Sequence, residues 1–113
     1  MKKRTAAAVL VAATVAAMLA LPVFAAIPKL TGTVGPGFTI SMKKPTKAGK
    51  YTFVVSDKSS IHNFHLKGPN VNVKTSVAAS GSKKFTITLK KGKYTYQCDP
   101  HAARGMKGTF KVT

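Results

Sequence analysis

A short stretch near the C-terminus brings together three side chains that can bind a soft metal ion. Cys98 supplies a thiol, His101 an imidazole and Met106 a thioether, and His62 supplies a second imidazole from earlier in the chain. Two histidines and one cysteine in a plane, with a weakly bound axial methionine, form the ligand set of a type 1 copper site. Sulfur suits Cu(I), while imidazole binds both oxidation states of copper. These residues therefore predict a mononuclear copper site.

The single cysteine also has simpler interpretations. A lone cysteine in an exported protein ordinarily indicates a free thiol or an intermolecular disulfide. The spacing of His101 and Met106 after Cys98, together with an upstream histidine, favours metal ligation over an incidental thiol. Zinc is an alternative metal because cysteine and histidine bind it well, but a thioether is a poor zinc ligand. Copper accounts for all four side chains.

The elements that must position these side chains are short β-strands. Apolar residues recur at period two after residue 25, as in Phe85, Ile87 and Leu89, and turn-forming clusters separate the apolar runs. No segment has the pattern of an amphipathic helix. We predict strands near residues 29–34, 37–43, 50–56, 61–66, 71–77, 83–89, 93–98 and 107–113. Short strands at this spacing indicate an all-β fold, an antiparallel Greek-key β-sandwich of about eight strands.

Strand parity predicts which upstream histidine reaches the site. His62 has the same parity as Phe64 and Leu66 along the predicted strand 61–66, so it should point into the sandwich. His65 has the opposite parity and should face outward. The sequence therefore predicts His62, and not His65, as the second imidazole of the copper site.

The first 25 residues have the pattern of a secretory signal peptide. Residues 1–4 are basic, residues 6–20 are apolar, and Ala25 is a small residue at which a signal peptidase would cleave. A retained membrane anchor is the alternative, because residues 6–26 are nearly long enough to span a bilayer. The many alanines and Pro22 favour cleavage. We therefore expect residues 26–113 to form one domain that is exported to the periplasm or the extracellular space.

The chain is strongly basic, with 19 Lys and Arg against 2 Asp and Glu. Without residues 1–25 the balance is 16 basic against 2 acidic side chains, a net charge of +14. Such charge permits nucleic-acid binding, but export and the lack of an aromatic platform or a groove-reading helix argue against it. We interpret the lysines as a solvated surface that suits acidic partners or an anionic membrane surface.

The chain resembles the small blue copper proteins, the cupredoxins of the plastocyanin and pseudoazurin type. The spacing Cys-x-x-His-x-x-x-x-Met that begins at Cys98 matches those families, as does the proline before its histidine. The His-Asn pair at positions 62 and 63 matches as well. The resemblance extends over residues 29–113.

This resemblance implies an electron-transfer protein that binds one copper ion per chain and cycles between Cu(II) and Cu(I). By the same resemblance, His62, Cys98 and His101 are the equatorial ligands and Met106 is the axial ligand. Asn63 is expected to tie the two ligand-bearing loops together, with its backbone N–H near the cysteine sulfur.

The resemblance also implies where electrons enter and leave. The exposed edge of His101 would be the electron port, within an apolar patch that includes Pro36, Ala102 and Ala103. Plant plastocyanins dock through an acidic patch, which is absent here. We expect a monomer whose redox partners are proteins with acidic surfaces.

Two other functions fit part of this pattern. A copper carrier or buffer, delivering the metal to another protein outside the cytoplasm, would bind the same ion, but the Met-rich or His-rich tail that favours it is absent. A copper oxidase or nitrite reductase needs a further copper site, for which three histidines in the chain are too few. The sequence therefore predicts an electron carrier and not an enzyme.

Overall fold

The computed structural model describes residues 26–113, so the predicted signal peptide lies outside the described residues. Eight strands and one 3-10 helix follow one another along this part of the chain. The strands are β1 Lys29–Val34, β2 Ile40–Met42, β3 Gly49–Asp57, β4 His65–Gly68, β5 Val71–Lys74, β6 Gly81–Leu89, β7 Gly92–Gln97 and β8 Lys107–Val112, and the 3-10 helix is Asp99–Arg104. Among residues 26–113, no helix has the length and apolar character needed to cross a membrane.

The strands form two four-stranded sheets. Sheet A has the order β2-β1-β3-β6, and sheet B has the order β5-β4-β7-β8. All neighbouring strands are antiparallel except β1 and β3, which run parallel. The chain passes from sheet A to sheet B after β3 and again after β6. The predicted all-β sandwich of eight strands is therefore confirmed, with one parallel pair inside it.

The core lies between the sheets because apolar and polar side chains alternate along most strands. The buried apolar residues are Leu30, Val34, Phe53, Val55, Phe64, Leu66, Val71, Leu89, Tyr94, Tyr96, Cys98, Met106, Phe110 and Val112. Tyr94 and Phe110 stack with ring centroids 5.2 Å apart. Each fully buried aliphatic or aromatic side chain stabilises the fold by about 1.5–3 kcal/mol relative to an exposed one.

Three predicted strands, 37–43, 61–66 and 71–77, are shorter in the structure, and the first two lie beside the site. The predicted strand 37–43 is reduced to Ile40–Met42, so Phe38 precedes β2 and is 49% exposed. The predicted strand 61–66 begins only at His65. His62, Asn63 and Phe64 are consecutive and all buried, which alternation in a strand would not allow. The predicted burial of His62 is correct, but the strand parity that led to it is wrong.

Gly68→Ala tests how closely the core packs on β4. Gly68 faces the Tyr94 ring, and the Cβ of an alanine at this position would overlap that ring. We expect the free energy of unfolding to fall by about 1–3 kcal/mol, because the fully buried ring cannot move aside without strain. Urea unfolding followed by circular dichroism measures the change. Gly37→Ala is the control, since a Cβ there meets no atom within 4 Å; equal losses in the two variants would contradict this account.

Candidate metal centre

The loop between β7 and β8 folds back on itself and presents three of the predicted side chains at one end of the sandwich. Cys98 follows β7 directly, and the 3-10 helix that begins at Asp99 carries His101. Gly105 has a left-handed conformation, with φ of 88°, which lets the chain reverse after the helix. The Cys98 N–H donates to the Met106 carbonyl at 3.0 Å, and the Met106 N–H donates to the His101 carbonyl at 3.3 Å. The backbone therefore fixes all three residues relative to one another.

His62 reaches the same place from the irregular segment 58–64, and its side chain is fully buried. Its Nδ1 lies 3.0 Å from Nδ1 of His101 and 3.6 Å from Sγ of Cys98. The Cys98 Sγ lies 3.4 Å from the His101 Nδ1. In the part of the chain that the structure describes, these residues form the one cluster of three side chains whose donor atoms can share a metal ion.

The size of this triangle fits a first-row metal ion. A point equidistant from the three donor atoms lies about 2 Å from each, close to the metal–nitrogen and metal–sulfur distances of about 2.0–2.3 Å found at protein sites. Two imidazoles and a thiolate are ligands that copper accepts in both of its oxidation states. Met106 is 1% exposed, and its backbone is hydrogen-bonded to both Cys98 and His101, so a thioether-bearing residue adjoins the two loop ligands in the fold.

Asn63 links the two segments that carry these side chains. Its side chain is buried, and its Oδ1 accepts a hydrogen bond from the Asp99 N–H at 2.7 Å. Its Nδ2 donates to Oδ2 of Asp99 at 2.9 Å and to the Thr75 carbonyl at 3.3 Å. The link between the two loops that the resemblance implied is present, and the amide side chain makes it.

His65 faces outward, as predicted, and is absent from the donor cluster. Its Nδ1 donates to Oδ1 of Asp99 at 2.8 Å, and its Nε2 lies 2.6 Å from Oδ1 of Asn72. Both ring nitrogens are thus engaged away from the site. The parity argument was correct for this residue, because β4 begins at His65.

Asp99 is a part of the site that the sequence reasoning missed. Burial by itself would raise the pKa of Asp99, but hydrogen bonds from Asn63, Gln97 and His65, and the nearby charge of His65, lower it to about 2. The carboxylate is therefore ionised at neutral pH and holds the loop after Cys98 against β4 and β7. Its position next to the cysteine, as one of only two acidic residues after residue 25, is the signal that could have identified it.

Phe38 was also missed, because the sequence placed it inside the predicted strand 37–43 and gave it no role at the site. Its exposed ring lies edge-on to His101, with centroids 4.8 Å apart, and to His62, with centroids 5.6 Å apart. The guanidinium carbon of Arg104 is 5.5 Å from the centroid of the same ring. Phe38 thus covers the imidazole cluster from the solvent side.

His101 is the member of the cluster that lies nearest to solvent. Partial burial lowers its pKa below the usual value, and electrostatic repulsion from His62 and Arg104 lowers the pKa further. Metal binding requires the neutral imidazole. The environment of His101 therefore favours the form that can act as a ligand.

Comparison with known families identifies the family to which this fold belongs. A model of the copper binding proteins of the plastocyanin/azurin family matches residues 33–113. The chain is a cupredoxin of this family. Its cofactor is copper, one ion per chain.

Individual relatives of this cupredoxin are distant. A segment of 30 residues is 57% identical to the plastocyanin of Daucus carota. This segment is 26% of this chain and 31% of that plastocyanin. The copper protein rusticyanin has the same fold, with a TM-score of 0.60 at 23% identity over 75% of this chain and 76% of rusticyanin. Reduced auracyanin from Roseiflexus castenholzii gives a TM-score of 0.57 at 19% identity over 80% of this chain and 99% of auracyanin.

Asp99→Asn tests how much the ionised carboxylate stabilises the cupredoxin. The pKa of Asp99 is about 2 in the folded protein, against an ordinary value of 3.8. A lowered carboxyl pKa adds stability above pH 3.8, and this stability is lost as the pH falls towards 2. With a discount for solvent screening of this partly exposed group, we expect the variant to lose about 1 kcal/mol of unfolding free energy at pH 7.

Urea unfolding of the metal-free protein from neutral pH down to the region of the lowered pKa measures this contribution. The difference between the parent protein and Asp99→Asn should narrow as the pH falls. A difference that is constant across this range would mean that the charge of Asp99 adds nothing beyond the shape and hydrogen bonds that an asparagine at this position retains.

Proposed function

We propose that this cupredoxin carries single electrons between redox proteins outside the cytoplasm, through a mononuclear type 1 copper site. The proposed equatorial ligands are His62, Cys98 and His101, and the proposed axial ligand is Met106. The observation that carries the proposal is the convergence of two imidazole nitrogens and one thiol sulfur within 3.6 Å of one another. Reduced forms of rusticyanin and auracyanin have been solved, which supports redox cycling in proteins of this fold.

The bound copper supplies a one-electron couple between Cu(II) and Cu(I). The protein's own contribution is to keep the donor atoms in place whatever the charge of the ion. Backbone hydrogen bonds hold Cys98 and Met106, and the buried amide of Asn63 holds the His62 segment against them. Because these contacts are independent of the metal, we expect little rearrangement of the ligands on electron transfer.

Burial at this site is unequal, so His101 offers electrons the shortest route between the metal and the surface. Cys98 and His62 are fully buried, so water is excluded from the sulfur and from one imidazole. His101 is partly exposed and lies edge-on to the exposed ring of Phe38, and Pro36 and Ala103 are exposed as well. We propose that electrons enter and leave at His101, and that a partner contacts Phe38 as it docks.

We propose that the partner presents an acidic surface to this end of the molecule. Arg104 lies against Phe38, and Lys58 follows β3 at the same end; both are exposed. Asp99, the acidic residue nearby, is already bonded to its neighbours. Opposite charge on the partner would raise the encounter rate by steering.

Export as a monomer completes the proposal. Residues 1–25 are the proposed cleaved signal peptide and residues 26–113 the functional domain, which is consistent with a first strand that begins at Lys29. Homologues in this family generally work outside the cytoplasm. Catalysis at a second copper site is disfavoured, because the chain has three histidines and the third, His65, is bonded to Asp99 and Asn72.

The ligand assignment is tested by the colour of the purified copper protein. Cys98→Ser should abolish the intense blue absorption that arises from thiolate-to-Cu(II) charge transfer, together with one-electron redox activity. His62→Ala should disrupt the same absorption. His65→Ala is the matched control, from the same segment, and should leave the spectrum nearly unchanged. A blue, redox-active Cys98→Ser protein, or a spectrum that depends on His65 and not on His62, would refute the assignment.

Met106→Leu tests the axial ligand separately. The thioether is expected to be a weak donor that tunes the potential more than it holds the metal. We expect the variant to bind copper and to have a raised reduction potential, because loss of a donor disfavours Cu(II). Redox titration of the variant against the parent protein measures the difference. An unchanged potential would show that Met106 is not a ligand.

A further inference from the structure

The outer face of sheet B is a cationic surface that contributes no ligand to the copper site. Strand register places alternate residues of β4, β5, β7 and β8 on this side of the sheet, opposite the core. Five of these residues are exposed lysines: Lys67, Lys74, Lys93, Lys107 and Lys111. We refer to the outer side of sheet B as the lysine face.

No carboxylate within residues 26–113 neutralises the lysine face. Asp57 is 4% exposed and lies at the end of β3 in the other sheet. Asp99 borders the face, but its contacts are with His65, Asn63 and Gln97, and no lysine of the described residues forms a salt bridge. Lys93 and Lys111 are direct cross-strand partners, an arrangement in which like charges repel. An external anionic surface would relieve this repulsion.

The residues between the lysines indicate what kind of anionic surface fits. They are all polar: His65, Asn72, Thr95, Gln97 and Thr109. Protein interfaces are depleted in lysine at their centre and rely on aromatic or apolar anchors, which this face lacks. A flat surface with many lysines and no anchor suits the diffuse negative charge of lipid headgroups, which attracts clustered basic residues.

Sheet A provides an internal comparison. Its outer face is rich in serine and threonine and carries three exposed lysines, Lys29, Lys50 and Lys84. Thr52 and Thr86 are hydrogen-bonded to each other on this face, with 3.1 Å between their hydroxyl oxygens. The outer face of sheet B therefore carries more exposed lysines than the outer face of sheet A. Variants that remove the same number of lysines from each face can be compared within one domain.

We propose that the lysine face binds the anionic headgroups of a phospholipid bilayer. Gln97 precedes Cys98 and Lys107 follows Met106, so the metal centre lies beyond one end of this face and not beneath it. A domain bound flat by the lysine face would therefore keep Phe38 and His101 at its side, open to a partner that moves along the same membrane. Only this last consequence rests on the proposed electron-transfer function; lipid binding does not.

The test is co-sedimentation of the copper-loaded domain, residues 26–113 in full, with lipid vesicles. Vesicles of phosphatidylcholine alone are compared with vesicles that also contain phosphatidylglycerol. The test variant replaces Lys67, Lys93 and Lys111 by glutamine, which leaves Lys107, beside the metal-site loop, in place. The matched control replaces Lys29, Lys50 and Lys84 by glutamine and removes the same charge from sheet A. Blue absorption and circular dichroism verify that both variants are folded.

We expect the parent domain to bind only the vesicles with phosphatidylglycerol, and binding to weaken between about 0.01 M and about 0.15 M salt as the Debye length falls from about 30 Å to about 8 Å. The sheet B variant should bind about a hundredfold more weakly, since each lysine near an anionic surface adds roughly a factor of five to affinity. The sheet A variant should lose a few-fold at most.

Three results would overturn the proposal. The first is a parent domain that does not co-sediment with vesicles containing phosphatidylglycerol. The second is an equal loss of affinity in both variants, which would assign binding to net charge and not to one face. The third is a sheet B variant that binds vesicles normally but accepts electrons more slowly from an acidic redox protein, which would assign the lysine face to a protein partner. Cys98→Ser should bind vesicles like the parent, so a failed ligand assignment would not be mistaken for failed lipid binding.

Discussion

Reciprocal hydrogen bonds between Asn63 and Asp99 hold together two segments that come from different parts of the sandwich. The His62 segment leaves sheet A, whereas the loop with Cys98 and His101 connects two strands of sheet B. Without a connection between them, two imidazole nitrogens 3.0 Å apart and a thiol sulfur would have little reason to stay together in the metal-free protein. This amide–carboxylate contact is extended by hydrogen bonds from His65 and Gln97 to Asp99. The polypeptide itself therefore holds the three donor atoms together, in addition to any bound ion.

The same contact explains why the centre is both buried and accessible. Asn63 lies inside the sandwich, where an unpaired amide would be costly, and all of its side-chain bonds are made to Asp99 and Thr75. Asp99 lies at the rim, where its carboxylate is partly exposed. The 3-10 helix that begins at Asp99 then raises His101 towards solvent while Cys98 remains inside. One pair of residues thus separates the protected sulfur from the accessible imidazole.

What the sequence predicts well here is local. Cys98, His101 and Met106 lie in one loop, so their spacing alone predicted neighbouring positions in the fold, and backbone hydrogen bonds join the three residues. Alternation predicted six of the eight strands to within a few residues. His62 was identified for a reason that does not hold, because residues 62–64 are irregular and consecutively buried. Period-two patterns describe strands, and they say nothing about a segment whose backbone is held by side chains such as Thr75. Asp99 and Phe38 were missed because their roles depend on partners far away in sequence.

Arg104 and Phe38 have a further effect on which molecules this cupredoxin can exchange electrons with. Two copies that meet through their His101 ends would bring two guanidinium groups, two exposed rings and two Lys58 side chains into one contact. Like charges at this range repel, and the repulsion is strongest at low ionic strength. If the protein carries electrons as proposed, we therefore expect self-exchange between oxidised and reduced copies to be slow at low salt and to accelerate as salt is added, opposite to the behaviour of an encounter between unlike charges. In that role, Arg104 and Lys58 would reduce unproductive exchange between identical copies.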